Sequence, residues 1–387
     1  MTPGPPRRRR RAETAPRVGC LGGGQLGRML ALAGYPLGLE FRFLEPQPRS
    51  SAGQVGEQLQ GEYHDRELLQ RLAEGCDLVT FEFESVPDWA AAELAERCPV
   101  FPPPEALRVA QDRLLEKRLF SRLGVPAAPY AEVSEGTDLE AALRSVGLPA
   151  RLKSRRLGYD GHGQARVGEV SELVPAFAAM GRVPSLLERE VHFERELSVL
   201  GVRARSGQMA FYPLVENRHQ DSVLRLSLAP APRLSPALQQ EAEGLCTAIM
   251  QELGYVGVLA VELFQVGDRL LANEIAPRVH NSGHWTIDGA ATSQFENHLR
   301  AGLGWELGET AARGSSLMVN LLGELPAVAD VLAVPGSHLH LYGKEPRPGR
   351  KLGHVTVTGR DEAGLAAAAA RLARLPGITV PAPTLAG

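Results

Sequence analysis

Two glutamates near the middle of the chain, Glu262 and Glu274, are the side chains whose type and spacing first indicate chemistry. Each lies in a short apolar run, and a Gly-containing turn separates the two runs, a pattern typical of a β-hairpin. A turn over 266–268 would place both carboxylates on one face as diagonal neighbours, whereas a two-residue turn would place them on opposite faces. Because unpaired buried anions are costly, we expect the pair to hold a divalent cation, with ion pairs to Lys or Arg as the alternative.

A polar loop follows the second glutamate directly. It carries Arg278, His280, Asn281 and His284, which supply one cation, two imidazoles and an amide. Such a set beside a metal can hold a small anion through charge-assisted hydrogen bonds. The hairpin and this loop together predict an active site.

The composition is that of a globular enzyme with two or three domains. The chain has 387 residues, of which 44% are hydrophobic and 22% charged, and its formal net charge is -3. This charge gives no general reason to expect nucleic acid or membrane binding, and no apolar run approaches the ~20 residues of a membrane helix. Cys20, Cys76, Cys98 and Cys246 are scattered, which argues against zinc or a disulfide framework and favours a reducing cytoplasm.

The first sixteen residues, MTPGPPRRRRRAETAP, contain a run of arginines flanked by prolines. We expect residues 1–16 to be a disordered tail, because the segment has too few apolar side chains to pack. An RNA-binding arm is the alternative.

A glycine loop opens the ordered part of the chain. Gly22, Gly24 and Gly27 follow a short strand that begins at Arg17, and a helix follows them. This spacing, with Glu45 at the end of the next strand, also occurs in dinucleotide-binding proteins, so an NAD-dependent dehydrogenase is one interpretation. Strands and helices alternate up to residue 97, with helices at 65–74 and 88–97 and a strand from Leu78 to Phe83, which predicts a parallel α/β sheet. Ligands bind at the carboxyl ends of such strands, so the glycine loop and 80–84 are candidate ligand walls.

Three later segments also carry candidate binding groups. A strand at 150–153 ends in Lys153 and runs into a loop at 154–164 that is rich in glycine and arginine, which favours nucleotide phosphates over a plain hairpin turn. Strands are expected at 185–191 and 318–321, and helices at 236–253 and 361–374. Five basic groups within 344–354 suggest a phosphate site, with a solvated turn as the alternative.

Taken together, these segments resemble the ATP-grasp superfamily and, within it, the 5-(carboxyamino)imidazole ribonucleotide synthetases. The resemblance spans about residues 17–375 and rests on the motifs at 22–28, 80–84, 111–113, 158–161, 273–284 and 344–354. It implies an α/β protein with the ATP-grasp fold, an N-terminal Rossmann-like parallel α/β domain and a small C-terminal α+β domain. The expected boundaries are 17–110 for the pre-ATP-grasp domain, 111–308 for the ATP-grasp domain and 309–387 for the C-terminal domain.

The resemblance also implies an activity. The chain would be a ligase of purine biosynthesis that uses ATP and bicarbonate to carboxylate the amine of 5-aminoimidazole ribonucleotide through carboxyphosphate. Mg2+ would be required, with Mn2+ as an alternative, and the protein would be a cytoplasmic homodimer. The rival interpretations are a sister ATP-grasp ligase that uses formate, the dehydrogenase named above, and a nucleotide-binding protein without turnover.

The roles of individual residues follow from the same resemblance. The ATP site would comprise Arg113, Lys153, Gly158, Tyr159, Asp160, Gly161, His162, Gly163, Gln164, Glu188, Arg189, Glu190, Val191, Glu196, His219, Asn273 and Glu274. The ribonucleotide would contact Gly24, Gln25, Leu26, Glu82, Tyr159, Lys344 and Arg350, the last two at its phosphate. Catalysis would involve Arg278, His280, Asn281, Lys351 and Asp160, with His280 or Asp160 as the proton acceptor for the amine. Glu262 and Glu274 would hold the metal.

Within the ATP site, 158–164 would be a flexible lid and 188–191 the hinge that contacts adenine through its main chain. Three residues depart from the family pattern. Leu157 stands where a second lid glycine is usual, His162 where a basic residue is common, and Glu190 where the hinge is apolar. The first two leave open how mobile and how charged the lid is.

Overall fold

A computed structural model of the protein describes residues 15–158, 163–360 and 362–380. Most of the predicted arginine-rich tail and four predicted lid residues, Tyr159, Asp160, Gly161 and His162, lie outside the described residues. Within the described ranges, no helix is both long and apolar enough to cross a lipid bilayer. The four cysteines are free thiols.

The N-terminal region is the predicted parallel α/β unit. Its sheet has the strand order β3-β2-β1-β4 and contains β1 (Arg17–Leu21), β2 (Glu40–Glu45), β3 (Glu57–Gln60) and β4 (Leu78–Phe81). The helices are α1 (Gln25–Gly34), α2 (Arg66–Ala73) and α3 (Asp88–Ala95). Side chains of β1 and β4 are buried on both faces, as expected when helices cover a parallel sheet. The strand predicted to end at Phe83 ends at Phe81, so Glu82 lies in the loop beyond the carboxyl end of the sheet.

A small antiparallel sheet follows, with the strand order β5-β8-β6-β7. The elements are α4 (Pro104–Ala110), α5 (Arg113–Leu123), β5 (Tyr130–Val133), α6 (Leu139–Val146), β6 (Ala150–Ser154), β7 (Gln164–Val167), α7 (Leu173–Ala179) and β8 (Ser185–Arg189). Asp112 caps α5 by accepting a hydrogen bond from Leu114 N at 3.0 Å, so the helix begins at Arg113. The strand predicted over 185–191 ends at Arg189.

The largest sheet has nine strands in the order β14-β13-β9-β11-β12-β15-β17-β16, with β10 paired to β9. Its strands are β9 (Arg195–Arg203), β10 (Met209–Phe211), β11 (Val215–Gln220), β12 (Val223–Ala229), β13 (Gly257–Val266), β14 (Arg269–Ala276), β15 (Ser315–Leu322), β16 (Ser337–Leu341) and β17 (Lys351–Gly359). Its helices are α8 (Pro236–Glu252), α9 (Thr286–Gly289), α10 (Gln294–Leu303), α11 (Val328–Leu332) and α12 (Glu362–Leu372). β12 pairs with β15, so the sheet continues across the predicted boundary at 308 and 309.

The acidic hairpin has a two-residue turn, not the three-residue turn over 266–268 on which the shared face of the two glutamates was expected to depend. Val266 pairs with Arg269, which leaves only Gly267 and Asp268 in the turn. A β-bulge then shifts the register between Glu262 and Leu263, because β14 contains one extra residue there. The bulge pairs Glu262 directly with Glu274. The two carboxylates therefore share one face, as predicted, although the bulge and not the turn places them there.

One hydrophobic core joins the N-terminal unit to the large sheet. Leu26, Met29 and Leu30 of α1 belong to the same buried cluster as Phe295 and Leu299 of α10. The glycine loop precedes α1, and the polar loop over 277–284 precedes α9 and α10, so this shared core fixes the position of one loop relative to the other.

Candidate active site

A single large cavity of about 1090 Å³ collects most of the predicted site residues. Those in its lining are Gln25, Leu26, Glu82, Arg113, Lys153, Gly158, Gln164, Glu196, His219, Glu262, Asn273, Glu274, Arg278, His280, Asn281 and Lys351. The predicted residues that the structure describes but does not place in this lining are Gly24, Gly163, Glu188, Arg189, Glu190, Val191, Lys344 and Arg350. Elements from all three predicted domains thus enclose one space.

The paired glutamates of the hairpin hold cationic or imidazole partners. Glu274 Oε2 lies 3.0 Å from an Arg113 guanidinium nitrogen, and Glu262 Oε1 lies 3.2 Å from His280 Nε2. Burial acts to raise the pKa of Glu262, but the hydrogen bond and charge of His280, with the charge of His219, outweigh it and lower that pKa below its ordinary value. Glu262 is therefore ionised at neutral pH.

These carboxylates fit a hard divalent cation in chemistry and position. Glu262 and Glu274 are cross-strand partners, and Asn273 in the bulge adds an amide to the same cavity wall. Across 15–158, 163–360 and 362–380, no group of three or more His, Cys, Asp or Glu side chains is arranged to hold a metal by itself. The protein therefore offers a partial set of oxygen ligands, which is the situation in which Mg2+ completes its shell with phosphate oxygens and water.

The polar loop over 277–284, called the catalytic loop after its predicted role, is held rigidly by side chains of the fold. Gln294 clamps the main chain of His280, accepting from its N–H at 2.9 Å and donating to its carbonyl at 2.6 Å. Gly283 fits only as glycine, because a Cβ there would lie 2.4 Å from Leu200 and 2.6 Å from Gln294. A short 3-10 helix over Asn281–Gly283 completes the turn.

The polar groups of this loop differ in how many of their atoms already have hydrogen-bond partners. Arg278 forms an ion pair with Glu84 at 2.8 Å, yet its Nε is buried without a hydrogen-bond partner among the described residues. Both amide atoms of Asn281 are likewise buried and unpartnered within the described chain. Since buried polar groups are normally paired, these atoms identify positions where a ligand would contribute hydrogen bonds.

A buried carboxylate holds two lysines on the side of the cavity where the nucleotide is predicted to bind, called the nucleotide side below. Glu188 Oε1 lies 2.6 Å from Lys117 Nζ, and Glu188 Oε2 lies 2.6 Å from Lys153 Nζ. Burial acts to raise the pKa of Glu188, but the charges of Lys153 and Lys117 lower it to about 2. Lys153 therefore reaches the cavity while its ammonium group is held in an ion pair with Glu188. Lys117, the other cation bound to Glu188, anchors the bulge by donating a hydrogen bond to Asn273 O at 2.8 Å.

The predicted hinge lies at the end of the same strand. Arg189 N donates to Pro129 O and Glu190 N donates to Pro149 O, each at 2.9 Å. The Glu190 carboxylate pairs with Arg151 and Arg166, each at 2.8 Å. The departure from an apolar residue at Glu190 is therefore accommodated by two ion pairs.

Glu196 and His219 meet across the neighbouring strands β9 and β11. His219 Nδ1 is hydrogen-bonded to Glu196 Oε2. Burial acts to lower the pKa of His219, but the Glu196 carboxylate outweighs it and raises that pKa. Both side chains line the cavity.

The glycine loop is braced by two acids. Glu82 accepts hydrogen bonds from Gly24 N and, at 2.8 Å, from Gly27 N. Glu45 accepts from Gly23 N and from the Tyr63 hydroxyl, both at 2.9 Å. Because Glu45 is committed to the loop itself, it does not stand ready for the ribose of a dinucleotide, and the dehydrogenase interpretation loses its second signal.

The basic cluster reaches the glycine loop through one side chain. Lys344 Nζ donates to Gln25 Oε1, which joins residues from the two ends of the chain. Burial lowers the pKa of Lys344, and the charge of Arg350 adds to the effect. Arg350 itself donates to the main-chain oxygen of Glu345 at 3.1 Å.

Several cavity residues were not predicted from the sequence. They are Arg151, Phe193, Phe264, Asn320 and Tyr342. Glu84, which also lines the cavity, belongs to the predicted wall at 80–84, and its ion pair with Arg278 joins that wall to the polar loop. Asn320 has an ordinary strand context and offered no signal, although its Oδ1 is buried without a partner in the described chain.

Comparison with known proteins agrees with this geometry. The chain matches three family models in succession: the ribonucleotide synthetase preATP-grasp domain over 16–111, the ATP-grasp domain over 118–295, and the phosphoribosylaminoimidazole carboxylase C-terminal domain over 316–368. It is 51% identical over 359 residues to the N5-carboxyaminoimidazole ribonucleotide synthase of Pseudomonas aeruginosa, which covers 93% of this chain and 99% of that protein.

Solved structures of similar proteins have the same fold. The N5-carboxyaminoimidazole ribonucleotide synthetase of Thermus thermophilus is 59% identical, with a TM-score of 0.90 over 92% of this chain and 98% of that one. The Aspergillus clavatus synthase, in complex with ADP and 5-aminoimidazole ribonucleotide, is 34% identical, with a TM-score of 0.85 over 92% and 98%. The chain therefore belongs to the N5-carboxyaminoimidazole ribonucleotide synthase family of ATP-grasp enzymes.

Proposed function

We infer that this protein is a ligase that uses ATP to carboxylate the amine of 5-aminoimidazole ribonucleotide, giving N5-carboxyaminoimidazole ribonucleotide, ADP and phosphate in purine biosynthesis. The observation that carries this inference is the single cavity. It is lined by the acidic hairpin and Lys153 of the ATP-grasp region, by Gln25 of the glycine loop and by Lys351 of the C-terminal region. One space can therefore bring ATP and a ribonucleotide together.

We propose bicarbonate as the carbon source. Bicarbonate is a poor electrophile, so one of its oxygens first attacks the γ-phosphorus of ATP, ADP leaves, and carboxyphosphate forms. The substrate amine then attacks the carboxyl carbon, or the CO2 released from it, phosphate leaves, and the amine loses a proton to a base. Such a site works mainly by positioning reactants and neutralising charge.

Mg2+ is the metal we propose for this reaction, with Mn2+ as the alternative. Glu262 and Glu274 would hold it, supported by Asn273 on the same wall. The bound ion would neutralise charge on the phosphates during transfer. Arg113, which is paired with Glu274 in this structure, would turn its guanidinium to a phosphate oxygen.

The catalytic loop would bind bicarbonate and its activated form. Arg278 supplies a positive charge and Asn281 supplies both a donor and an acceptor whose partners are missing within the described chain. Lys351 lines the same cavity. Donors aimed at developing negative charge in such a site are typically worth about 10²–10³ in rate.

The remaining assignments are proposals of the same kind. Lys153 and the lid would contact the phosphates, the hinge would contact adenine, and Glu196 with His219 would bind the ribose of ATP. Gly24, Gln25, Leu26 and Glu82 would contact the ribonucleotide, with Lys344 and Arg350 at its phosphate. Asp160 and Tyr159, outside the described residues, keep their predicted roles. We further propose a cytoplasmic homodimer that binds neither nucleic acid nor membrane.

ADP release, measured with and without 5-aminoimidazole ribonucleotide and bicarbonate, tests the function. We expect turnover to require both, and Glu274→Gln to lower it by at least about 10²–10³-fold while circular dichroism shows a retained fold. Glu252→Gln is the control, because its ion pair with Arg122 lies on the surface. Two results would contradict the assignment. One is an ATP turnover rate that is the same with and without the ribonucleotide, and the other is normal turnover of the Glu274→Gln variant at saturating Mg2+.

A further inference from the structure

Four buried polar side chains lie beneath the catalytic loop and connect it to the middle of the large sheet. We call them the polar relay: Ser227 of β12, Asn217 of β11, Ser198 of β9 and Ser282 of the loop. Each is at most 5% exposed. None has a ligand-binding role in the function proposed above, so their arrangement needs an explanation of its own.

Hydrogen bonds run without a break along the polar relay. Ser227 Oγ lies 2.7 Å from Asn217 Oδ1, and Asn217 Nδ2 lies 2.9 Å from Ser198 Oγ. Ser198 Oγ and Ser282 Oγ are 2.8 Å apart, and Ser282 Oγ is 2.8 Å from His280 Nδ1. Each link has ordinary hydrogen-bond geometry, and the series ends at the imidazole.

One main-chain group fixes the direction of every bond in the series. The Ser282 N–H can only donate, and it lies 3.3 Å from His280 Nδ1, so this nitrogen is an acceptor without a hydrogen. The Ser282 hydroxyl therefore donates to Nδ1 and accepts from Ser198, which in turn accepts from the amide of Asn217. Asn217 Oδ1 then accepts from Ser227. This assignment gives each donor one acceptor and places the hydrogen of neutral His280 on Nε2.

That hydrogen faces the acidic hairpin. His280 Nε2 is 3.2 Å from Glu262 Oε1, and the two hydrogen bonds from Gln294 keep the main chain of His280 from turning. Nδ1 is occupied by Ser282 and Nε2 carries a hydrogen. The neutral ring therefore has no nitrogen with which to accept a proton from a substrate amine.

We propose that the polar relay is a positioning device that fixes the tautomer of His280, so that this residue donates towards Glu262 and is not the base for the substrate amine. The identity of the amine rests on the proposed function, but the state of the ring is a property of the protein without substrate. The four relay residues act through His280. Partners of this kind behind a metal site typically change activity by about 10–100-fold.

The ring state is measured directly by 15N NMR on histidine-labelled protein without nucleotide or metal, at a pH where the ring is neutral. The His280 signals are identified by their loss in His280→Gln. We expect Nδ1 to be unprotonated and Nε2 to be protonated. A protonated Nδ1 would overturn the proposal, and this result is independent of whether the protein carboxylates the ribonucleotide.

The role of the polar relay is tested with two asparagine variants. Asn217→Ala interrupts the series of hydrogen bonds in its middle. Asn297→Ala removes another buried amide, which donates to the Tyr212 hydroxyl at 2.9 Å and accepts from Gly308 N at 2.8 Å, and it serves as the control. We expect Asn217→Ala to mix the two His280 tautomers and to lower kcat about 10–100-fold with KM for ATP little changed. Asn297→Ala should leave the ring state and kcat near those of the wild type.

Two outcomes would overturn the role of the relay. One is a folded Asn217→Ala protein with the wild-type ring state and kcat. The other is an equal loss of kcat in Asn297→Ala, which would indicate a general effect of lost packing. If Asn217→Ala does not fold, Ser198→Ala, which deletes one hydroxyl, is measured by the same two criteria.

Discussion

The nucleotide side of the cavity and the catalytic loop differ in how completely their polar groups are partnered before ligands bind. On the nucleotide side, cations are already paired with carboxylates of the protein, as Lys153 is with Glu188 at 2.6 Å and Arg113 is with Glu274 at 3.0 Å. In the catalytic loop, Arg278 is likewise paired, with Glu84 at 2.8 Å, but the Asn281 amide is buried without a partner among the described residues. The catalytic loop therefore keeps unpartnered polar atoms for a ligand, whereas the cations of the nucleotide side are already paired.

This difference determines what binding costs in each region. A phosphate that approaches Lys153 has to compete with the Glu188 carboxylate. The net gain in binding free energy is therefore the difference between the lysine–phosphate and the lysine–carboxylate ion pairs. A ligand at Asn281 provides hydrogen-bond partners for polar atoms that folding has already removed from water. Each new hydrogen bond therefore contributes more of its strength to the free energy of binding. We therefore expect substitutions on the nucleotide side to act first on stability, and those around the substrate to act first on binding and turnover.

The largest effect on stability is expected from a substitution that breaks the buried ion pairs of the nucleotide side. Glu188→Gln would leave Lys117 and Lys153 close together without their shared carboxylate. Removing one partner of a buried pair typically costs about 3–5 kcal/mol, so we expect a large fall in the free energy of unfolding at neutral pH, measured by denaturant unfolding. Glu190→Gln is the matched control, because its ion pairs with Arg151 and Arg166 lie at the edge of the same strand and are worth about 1 kcal/mol or less.

The difference in stability between the wild type and Glu188→Gln should depend on pH. The pKa of Glu188 is lowered from 4.5 to about 2 in the folded protein. Its stabilisation is therefore present above pH 4.5 and is lost as the pH falls towards 2, so the wild type and Glu188→Gln should converge in stability over that window. A difference that stays constant down to pH 2 would show that the variant acts through packing and not through charge.

A smaller effect is expected at the phosphate of the ribonucleotide. Arg350 contacts a main-chain oxygen, Glu345 O at 3.1 Å, so its removal should cost little stability. A hydrogen bond to a charged group is worth about 1.5–3 kcal/mol, so Arg350→Ala should raise the KM for the ribonucleotide by about one to two powers of ten. The KM for ATP should barely move. Steady-state kinetics with each substrate varied in turn will measure both constants.

Two controls separate a phosphate anchor from a solvated turn. Arg347→Ala removes an exposed arginine from the same segment and should leave both constants unchanged. The dephosphorylated nucleoside should bind poorly to the wild type and respond little to Arg350→Ala. Equal weakening of nucleoside and nucleotide would assign the cluster to the solvated turn.

The sequence was sufficient for the acidic hairpin and the catalytic loop, because chemistry-bearing side chains stand close together there in one segment. It was misleading about the hairpin turn, since the bulge that pairs Glu262 with Glu274 depends on Asn273 being accommodated by neighbouring elements, including Lys117. A local pattern cannot show such an adjustment. The correct face was obtained although the predicted turn was one residue too long.

The sequence contained no comparable signal for the polar relay. Ser198, Asn217 and Ser227 are ordinary residue types on separate strands, and only the sheet register brings them beneath Ser282. The same reasoning applies to Glu188, whose predicted role lay in the main chain of the hinge, while its carboxylate joins Lys117 and Lys153. Motifs indicate groups that meet ligands, whereas the groups that support them emerge only from strand pairing.

The smallest expected effect concerns the loop over the nucleotide side. Leu157, where the family usually has glycine, adopts φ of 62° and is 78% exposed, a left-handed conformation that costs a branched side chain about 1–2 kcal/mol. Leu157→Gly relieves that strain, but it also gives the unfolded chain about 0.4–1 kcal/mol of extra entropy, so the stability should change little. If lid opening limits product release, kcat should rise by no more than about 5–30-fold, the factor to which about 1–2 kcal/mol of strain corresponds. Arg182→Gly is the control, since Arg182 has φ of 55° and lies outside the cavity lining that the structure describes. Turnover and ADP release are measured by steady-state assays and by stopped-flow release of a fluorescent ADP analogue. A kcat and an ATP affinity that stay at the wild-type values in Leu157→Gly would show that the lid tolerates leucine.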